Sequence, residues 1–304
     1  MLDGVKDAMV GFDPDVGARR YTGGFQEWLK RFPLLVKLKG RLWRNATTLN
    51  VWSSFPLYVP NSVGNYDDKS ALTIRTINQV FPFLQALSES VSRRSLEIKD
   101  IGTVTKTEQQ RQAAAALKER FDFYGSDKAN VHNYHCLYGS ILCDGNKARN
   151  ILEIGLGTNN MDVVSHMGKS GRPGASLRAF RDFCPNADIY GADIDRRILF
   201  SETRIETYFV DQMDPSTLER LASVLPVRAF DLVVDDGLHS PDANVATLRF
   251  ALEIVRKHGW VVIEDIGPDS GIFWKVVAAL LPENYRAELY RAEDGMVFAV
   301  QRLD

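Results

Sequence analysis

The sequence has few cysteines, no long hydrophobic run and no excess of one charge. Its three cysteines among 304 residues, Cys136, Cys143 and Cys184, form no CxxC pair and are too few for a disulfide framework. No apolar run reaches the roughly 18 residues of a membrane helix. The first residues, MLDGVKDAMVGFDPD, lack the apolar core of a signal peptide. We therefore expect a cytoplasmic protein with reduced thiols and no membrane span.

Positive and negative residues nearly balance, because 37 lysines and arginines face 39 aspartates and glutamates, for a net charge of −2. A protein that binds nucleic acid through bulk charge needs a basic surface, and no basic stripe interleaved with aromatic residues is present. Hydrophobic residues make up 45% of the chain, enough to bury a sizeable core. We expect a globular protein whose partner is a small molecule or a glycan, not a nucleic acid.

From about residue 150 onward, short β-branched runs alternate with helical segments. The runs are ARNILEIG, ADIYGAD, RIETYFV, FDLVVDD and GWVVIED. Helical patterns cover residues 175–184, 214–224, 241–257 and 271–281. This alternation is typical of a parallel sheet with crossover helices. Two last strands, near 284–291 and 295–302, are separated only by an EDG turn and should pair antiparallel. The pattern predicts an α/β fold with a mostly parallel, Rossmann-like sheet and an antiparallel last strand.

The first 123 residues differ in texture, and we predict a partly helical auxiliary region there, followed by one domain over residues 124–304. Lys30–Arg44 is basic and rich in apolar residues, and we interpret it as an amphipathic helix packed on the protein. The segment TEQQRQAAAALKERFDFYG contains strong helix formers with a helical apolar period. Gly125 should end that helix.

Polar residues follow three successive strands of the predicted sheet. The first strand ends in EIGLGT, from Glu153 to Thr158, where glycines let the backbone approach a ligand. The next ends in Asp193, an acid suited to ribose hydroxyls, and the third in Asp211 and Gln212, suited to an adenine edge. Each residue alone also fits a cap or a turn. A dinucleotide fingerprint is incomplete, because Asn160 stands where a third glycine would be. The pattern favours a ligand without phosphates.

Carboxylates gather at the next two strand ends. The fourth strand ends in Asp235-Asp236-Gly237-Leu238-His239 and the fifth in Glu264-Asp265. Neighbouring parallel strands would bring these groups to the same rim, where like charges repel. A bound cation resolves the repulsion, and an all-carboxylate set suits a hard ion such as Mg²⁺. The alternatives are that the aspartates cap the next helix and that Glu264-Asp265 is a solvated strand end.

Taken together, these motifs resemble a known family. The EIGLGT, GAD and DQ strand ends are similar to class I S-adenosylmethionine-dependent methyltransferases. YGSDK, PGASLRAF, DQMDP, DDGLH and VVIED, in this order, resemble the metal-dependent sugar O-methyltransferases of macrolide biosynthesis. Leu238 is a departure, since the family often has serine there. The first hundred residues match nothing in that family.

The resemblance implies a role for each strand end. Glu153, Gly155 and Gly157, with Thr158, would line the methionine part of the cofactor, Asp193 the ribose, and Asp211 or Gln212 the adenine. Asp236, Glu264 and Asp265 would bind the metal and His239 would be the general base. Asp235 would support the cofactor site or the structure around it. Further candidates near YGSDK, which could equally pack or cap a helix, are Asp127, Lys128, His132, Tyr134 and His135.

The function these implications favour is Mg²⁺-dependent methylation of a sugar hydroxyl by S-adenosylmethionine, on a glycosylated natural product, a polysaccharide or a nucleotide-linked sugar. A histidine that titrates near neutrality can take the hydroxyl proton. Methylation of a catechol or another vicinal diol would use the same groups. A non-catalytic cofactor-binding or scaffold protein would lack the carboxylate and histidine set. Family members are oligomers, so we expect a homo-oligomer in which the auxiliary region serves substrate specificity or subunit contact.

Overall fold

The computed structural model describes residue 75 and residues 96–304, with the backbone alone for residues 269 and 272. The predicted amphipathic helix at Lys30–Arg44, and most of the predicted auxiliary region, lie outside the described residues. Among the described residues, no helix combines the length and the apolar character that crossing a membrane requires.

The described chain forms one nine-stranded sheet in the order β1-β8-β9-β7-β6-β2-β3-β5-β4. The strands are β1 (Ile98–Asp100), β2 (Asn150–Ile154), β3 (Asp188–Asp193), β4 (Ser201–Glu202), β5 (Ile205–Phe209), β6 (Phe230–Asp235), β7 (Val255–Ile266), β8 (Tyr285–Arg291) and β9 (Met296–Arg302). Strands β5, β3, β2, β6 and β7 run parallel, and β9 lies antiparallel between β7 and β8. The predicted mostly parallel sheet with an antiparallel last strand is confirmed.

Seven α-helices cover the sheet in the described part. They are α1 (Glu108–Tyr124), α2 (Asp127–Asn130), α3 (His135–Ile141), α4 (Ala175–Phe183), α5 (Pro215–Val224), α6 (Pro241–Ile254) and α7 (Gly271–Leu280). One core layer joins α5, α6 and α7 to one face of the sheet, and a second joins α1, α3 and α4 to the other. Successive strand residues alternate between the layers: Ile151 lies in the second and Leu152 in the first. Such three-layer burial is what a parallel sheet needs.

Helix α1 is specified by local sequence signals at both ends. Thr107 and Gln110 form a capping box at its start, and Gly125 ends it with a φ of 76°. Its buried face, with Leu117 and Phe121, packs into the second core layer. The helix expected in this segment is confirmed. Strand β1 and helix α1 therefore share the sheet and its core, so the described residues before 124 already belong to the α/β fold.

The sequence patterns misplace one boundary. A helix was expected over 241–257, but α6 ends at Ile254 and β7 begins at Val255. His258 has a φ of 62° and lies inside β7. The two-residue strand β4 and the three-residue strand β1 are too short to leave a periodic pattern in the sequence.

Candidate functional site

A cleft of about 470 Å³ opens at the carboxyl ends of β2, β3, β5 and β6. This volume lies in the range of small-molecule sites, and strand ends at a change of strand order are where open α/β sheets bind ligands. Its wall contains seven of the residues that the sequence singled out, namely Gly155, Gly157, Thr158, Asp193, Asp211, Gln212 and Asp236. Two others, Glu153 and Asp235, are fully buried behind the wall.

Two glycines shape the wall where β2 ends. Gly155 has a φ of 96°, and a β-carbon there would collide with the backbone carbonyl of Asp236. Gly157 has a φ of 72°, and a β-carbon would collide with the thioether of Met167. Left-handed φ and close backbone approach both favour glycine. The glycines therefore bring the tips of β2 and β6 into contact and let the following loop fold over the cleft.

Asp193 braces the cleft from within. One of its carboxylate oxygens accepts a hydrogen bond from the amide of Leu156 at 2.7 Å and the other from the amide of Asp195 at 2.8 Å. Burial raises the pKa of the Asp193 carboxyl, and the backbone hydrogen bonds oppose that shift. Thr158 donates to Asp195 at 2.6 Å. Asp195, which also lines the cleft, is a wall residue that the sequence patterns missed.

Gln212 and Asp235 belong to a buried polar network. The Gln212 amide nitrogen donates to Asp235 and to Thr247, each at 2.7 Å, and its oxygen accepts from the Leu238 amide at 2.9 Å. Asn244 donates to the other Asp235 oxygen at 3.0 Å. Burial raises the pKa of Asp235, and the hydrogen bonds from Asn244 and Gln212 counteract it. The network fixes the loop that carries Asp236 and His239.

Beyond the cleft, a buried lysine joins three carboxylates. The Lys128 ammonium lies 2.6 Å from Asp236 Oδ2 and 3.1 Å from Glu153 Oε1, and it also donates to Glu264 Oε2. Its side chain is 2% exposed, and those of Glu153 and Glu264 are 0% exposed. Ser176 donates to Glu153 at 2.6 Å, and the Tyr138 hydroxyl donates to Glu264. We call Glu153, Asp236 and Glu264 the inner carboxylates.

Burial and charge oppose each other in this cluster. Burial alone would lower the pKa of Lys128, but the charges of Asp236, Glu264 and Glu153 hold it well above its usual range. Burial raises the pKa of Glu264 well above its ordinary value, and the lysine only partly offsets this. The pKa of Glu153 is raised for the same reason. The ammonium is therefore the charge that makes three neighbouring carboxylates tolerable in a buried position.

A second group of titratable side chains lies on the other side of Asp236. His239 Nε2 is 3.6 Å from Asp265 Oδ2 and 4.0 Å from Asp236 Oδ1. The Tyr134 hydroxyl donates to Asp265 at 2.6 Å, and His132 Nδ1 lies 3.4 Å from the same carboxylate. These side chains, other than that of Tyr134, are only partly buried. We call Asp236, His239 and Asp265 the outer group.

Backbone strain marks the outer group. His239 has a φ of 56° and Asp265 a φ of 52°, two of five non-glycine residues with positive φ in the described part. The register of β7 against β9 shifts between Ile263 and Ile266. This irregularity breaks the strict alternation that would send Glu264 and Asp265 to opposite faces. Residues held in such conformations cost free energy and cluster at functional sites.

The predicted metal ligands fall into two neighbouring groups in the structure. Asp236 is common to both groups, Glu264 is on the lysine side, and Asp265 is on the histidine side. Each group has ligand atoms within 4.8 Å of one another. Both oxygens of Glu264 accept hydrogen bonds, from Lys128 and from Tyr138.

Comparison with known proteins gives sequence relatives over part of the chain, and no family model matches it. The chain is 43% identical over 94 residues to mycinamicin VI 2''-O-methyltransferase of Micromonospora griseorubida. The matched segment covers 31% of this chain and 23% of the relative. The chain is 38% identical over 93 residues to demethylmacrocin O-methyltransferase of Streptomyces fradiae, with the same shares. The chain resembles the macrolide sugar O-methyltransferases. The predicted resemblance is confirmed, over less than a quarter of the length of these relatives.

A solved structure is also similar, the MycE methyltransferase from the mycinamycin biosynthetic pathway in complex with Mg, SAH and mycinamycin VI. Its identity to this chain is 25%, its TM-score is 0.49, and the match covers 62% of this chain and 53% of that one.

The structure places two of the weaker sequence candidates, Lys128 and Tyr134, in the site. Lys128 and Tyr134 were marked only as members or neighbours of the YGSDK segment, and the structure places both against the carboxylates. Tyr138 had no sequence signal, because an aromatic residue on an apolar helix face is ordinary core. Asp127 is exposed, and His135 contacts Cys136 instead of the carboxylates.

Proposed function

We propose that the chain is an S-adenosylmethionine- and Mg²⁺-dependent O-methyltransferase that acts on a sugar hydroxyl of a glycosylated natural product or a polysaccharide. The observation that carries the proposal is the position of Asp236. Asp236 lines the 470 Å³ cleft, and its Oδ1 lies 4.0 Å from His239 Nε2. A ligand in the cleft and a hydroxyl at the outer group would therefore be neighbours.

The cleft fits the cofactor in the residues that line it, which are glycine backbone and acidic side chains at the strand ends. Gly155 and Gly157 leave room for a ligand against the backbone, and Asp193 and Asp195 place acidic groups where ribose hydroxyls would donate. The carboxamide of Gln212 is held by Asp235, Thr247 and Leu238. We propose that Gln212 shapes the adenine end and that adenine hydrogen bonds come from neighbouring groups, among them Asp211.

The outer group fits a divalent ion by the chemistry of its donors. Asp236 and Asp265 offer carboxylate oxygens at a partly exposed rim, the ligand type that Mg²⁺ prefers. Glu264, also in the proposed ligand set, would share its carboxylate with Lys128 and Tyr138. When bound, Mg²⁺ supplies a lower hydroxyl pKa and the sulfonium cofactor supplies an electrophilic methyl group.

His239 has the position of a general base in this reaction. Its Nε2 faces the two carboxylates at which an acceptor hydroxyl would lie, and Asp265 at 3.6 Å stabilises the imidazolium that forms. His239 Nε2 would take the hydroxyl proton as the hydroxyl oxygen bonds to the methyl carbon, and the sulfur of the bound cofactor would keep the electron pair of the broken carbon–sulfur bond. The chain contributes alignment of the reacting atoms, which can remove several kcal/mol of barrier.

A methyl-transfer assay with labelled S-adenosylmethionine tests the proposal. We expect the protein with Mg²⁺ to methylate members of a panel of glycosides, and excess EDTA to abolish turnover while cofactor binding, followed by calorimetry, survives. If only simple catechols were methylated, the acceptor would be a catechol or another vicinal diol and not a sugar. Cofactor binding without turnover on either panel would favour a scaffold role. Activity that persists in EDTA would remove the metal from the mechanism.

The assembly and the location of the protein remain predictions. Light scattering of the full chain tests the expected homo-oligomer, and cell fractionation tests the expected cytoplasmic location.

A further inference from the structure

Among the lysines and arginines that the structure describes, Lys128 alone is buried, and each of the others is half-buried or exposed. Its ammonium contacts three carboxylates, each from a different neighbouring strand: Glu153 in β2, Asp236 directly after β6, and Glu264 in β7. In the sheet order, β2, β6 and β7 are adjacent. One cation therefore ties together the tips of three strands that form the floor of the site.

The backbone around Lys128 is fixed on both sides. Ser126 caps α2, and its hydroxyl accepts from the Lys128 amide at 3.4 Å. The Lys128 carbonyl accepts from the Tyr134 amide at 2.8 Å. Ala129, the next residue, is buried. Because the chain is held here and the side chain is enclosed, the ammonium has no open route to solvent and should stay in place when ligands bind.

The ammonium stands where a metal ion would otherwise fit. The oxygens of Glu153, Asp236 and Glu264 lie within 4.8 Å of one another, a spacing that can hold a metal ion. Without the lysine, the three carboxylates would repel one another in a buried position and attract a cation. With the lysine present, Asp236 uses Oδ2 for the ammonium, and Oδ1 faces His239.

We propose that Lys128 is a positioning residue, a built-in cation that fills the space between the inner carboxylates and orients Asp236 toward the outer group. A divalent ion is thereby kept out of the inner position and confined to the rim, where the acceptor hydroxyl can reach it. The rim ion is part of the proposed function, whereas the filled inner position follows from the described contacts alone.

The test counts bound ions, with Mn²⁺ as the probe. Mn²⁺ is added to the full chain and to Lys128→Met, and free ion is measured by electron paramagnetic resonance. We expect Lys128→Met to bind one more Mn²⁺ per chain than the unchanged protein, because the inner position becomes available. Lys118→Met is the matched control: Lys118 pairs with Asp122 at 2.9 Å on the surface, and its loss should leave the ion count unchanged. An equal ion count in Lys128→Met and the unchanged protein would overturn the proposal.

A second variant covers the case in which Lys128→Met fails to fold. Glu153→Gln keeps the lysine and removes one inner carboxylate without changing side-chain shape. Because the lysine already excludes the ion from the inner position, we expect the Mn²⁺ affinity of Glu153→Gln to stay within about threefold of the unchanged protein. A loss of more than about tenfold, in a protein with an unchanged circular dichroism spectrum, would show that Glu153 binds the ion and would refute the inference.

The result separates this inference from the proposed function. If the unchanged protein binds no Mn²⁺, the metal-dependent reaction fails. The inner position still predicts one Mn²⁺ in Lys128→Met in that case. If the unchanged protein binds one ion and Lys128→Met also binds one, the reaction stands and the inference about Lys128 fails.

Discussion

The two sides of the site differ in how far their polar groups are satisfied by the protein itself. On the cleft side, Asp193 spends both oxygens on backbone amides and Gln212 spends its whole carboxamide on Asp235, Thr247 and Leu238. On the carboxylate side, one buried ammonium faces three inner carboxylates, and the outer group adds His239 and Asp265. On the cleft side, these polar groups already have hydrogen-bond partners within the protein. On the carboxylate side, negative charges outnumber the one buried positive charge.

This difference assigns different work to the two regions. A region whose hydrogen bonds are already made is rigid, so it offers shape and backbone surface to a ligand. A region with excess carboxylate charge at a partly exposed rim offers binding energy to a cation and a place to move a proton. Changes on the carboxylate side should therefore alter the rate of reaction, whereas changes on the cleft side should alter cofactor affinity and stability.

The largest effect should come from His239. We expect His239→Asn to lower the rate of methyl transfer by roughly two to four orders of magnitude, the usual range for a lost general base. Asparagine suits the test because it tolerates the positive φ of 56° at this position and cannot take up a proton near neutral pH. Single-turnover kinetics with labelled cofactor measure the rate, and calorimetry should show an unchanged cofactor affinity.

His258 provides a matched control for this substitution. It is an exposed histidine inside β7 with a φ of 62°, so His258→Asn makes the same side-chain change at another position with positive φ. Its transfer rate should equal that of the unchanged protein. A His239→Asn variant with more than about a tenth of the normal rate would assign the proton transfer to another group.

The next effect concerns Gly155, at the contact between the two regions. We expect Gly155→Ala to destabilise the fold by more than Gly168→Ala. Both positions have positive φ, 96° and 72°, which costs alanine about 1 kcal/mol or more. At Gly155 the β-carbon also meets the carbonyl of Asp236, whereas nothing lies within 4 Å at Gly168. Urea unfolding of the two variants measures the difference.

The comparison of the two glycines reduces the contribution of backbone strain, because both have positive φ, and leaves the collision as the main difference between them. Gly155→Ala should in addition weaken cofactor binding, because the tips of β2 and β6 must separate to make room for the alanine side chain. Equal unfolding free energies for the two variants would mean that these tips adapt easily, and the rigid picture of the cleft side would be wrong.

The main features of the fold could be predicted from the sequence because they depend on local periodicity. The five β-branched runs and the antiparallel pair at the end match β2, β3, β5, β6, β7, β8 and β9. The end of α6 was placed too late because Val255–His258 is followed by Gly259 and holds three basic residues, a combination that is also typical of the last turn of a helix. Only pairing with β6, Phe230 against Val255, decides for a strand.

The site could be predicted as a place but not as a set of contacts. Parallel strands deliver their ends to one rim, so the location of Gly155, Asp193 and Asp236 follows from the pattern alone. The partners of Glu153 and Glu264 depend on Lys128, more than a hundred residues from Glu264 in sequence. No local sequence pattern predicts which charged side chains will be buried next to each other. The bulge that re-aims Asp265 likewise depends on how β9 pairs with β7.

The smallest effect should come from Ser165, in the loop that follows β2 and lines the cleft. Its hydroxyl donates to the carbonyl of Gly237 at 2.7 Å, beside Asp236, so it fastens this loop to the carboxylate side. Losing one such neutral hydrogen bond costs about 0.5–1.5 kcal/mol. We therefore expect Ser165→Ala to weaken cofactor binding by roughly two- to tenfold, with little change in the single-turnover rate. Ser223→Ala removes a similar bond, to Arg220 at 2.7 Å on the exposed end of α5, and should leave the dissociation constant unchanged. If Ser165→Ala lowered the transfer rate and left cofactor affinity intact, this loop would act on the carboxylate side, and the separation between the two regions would not hold.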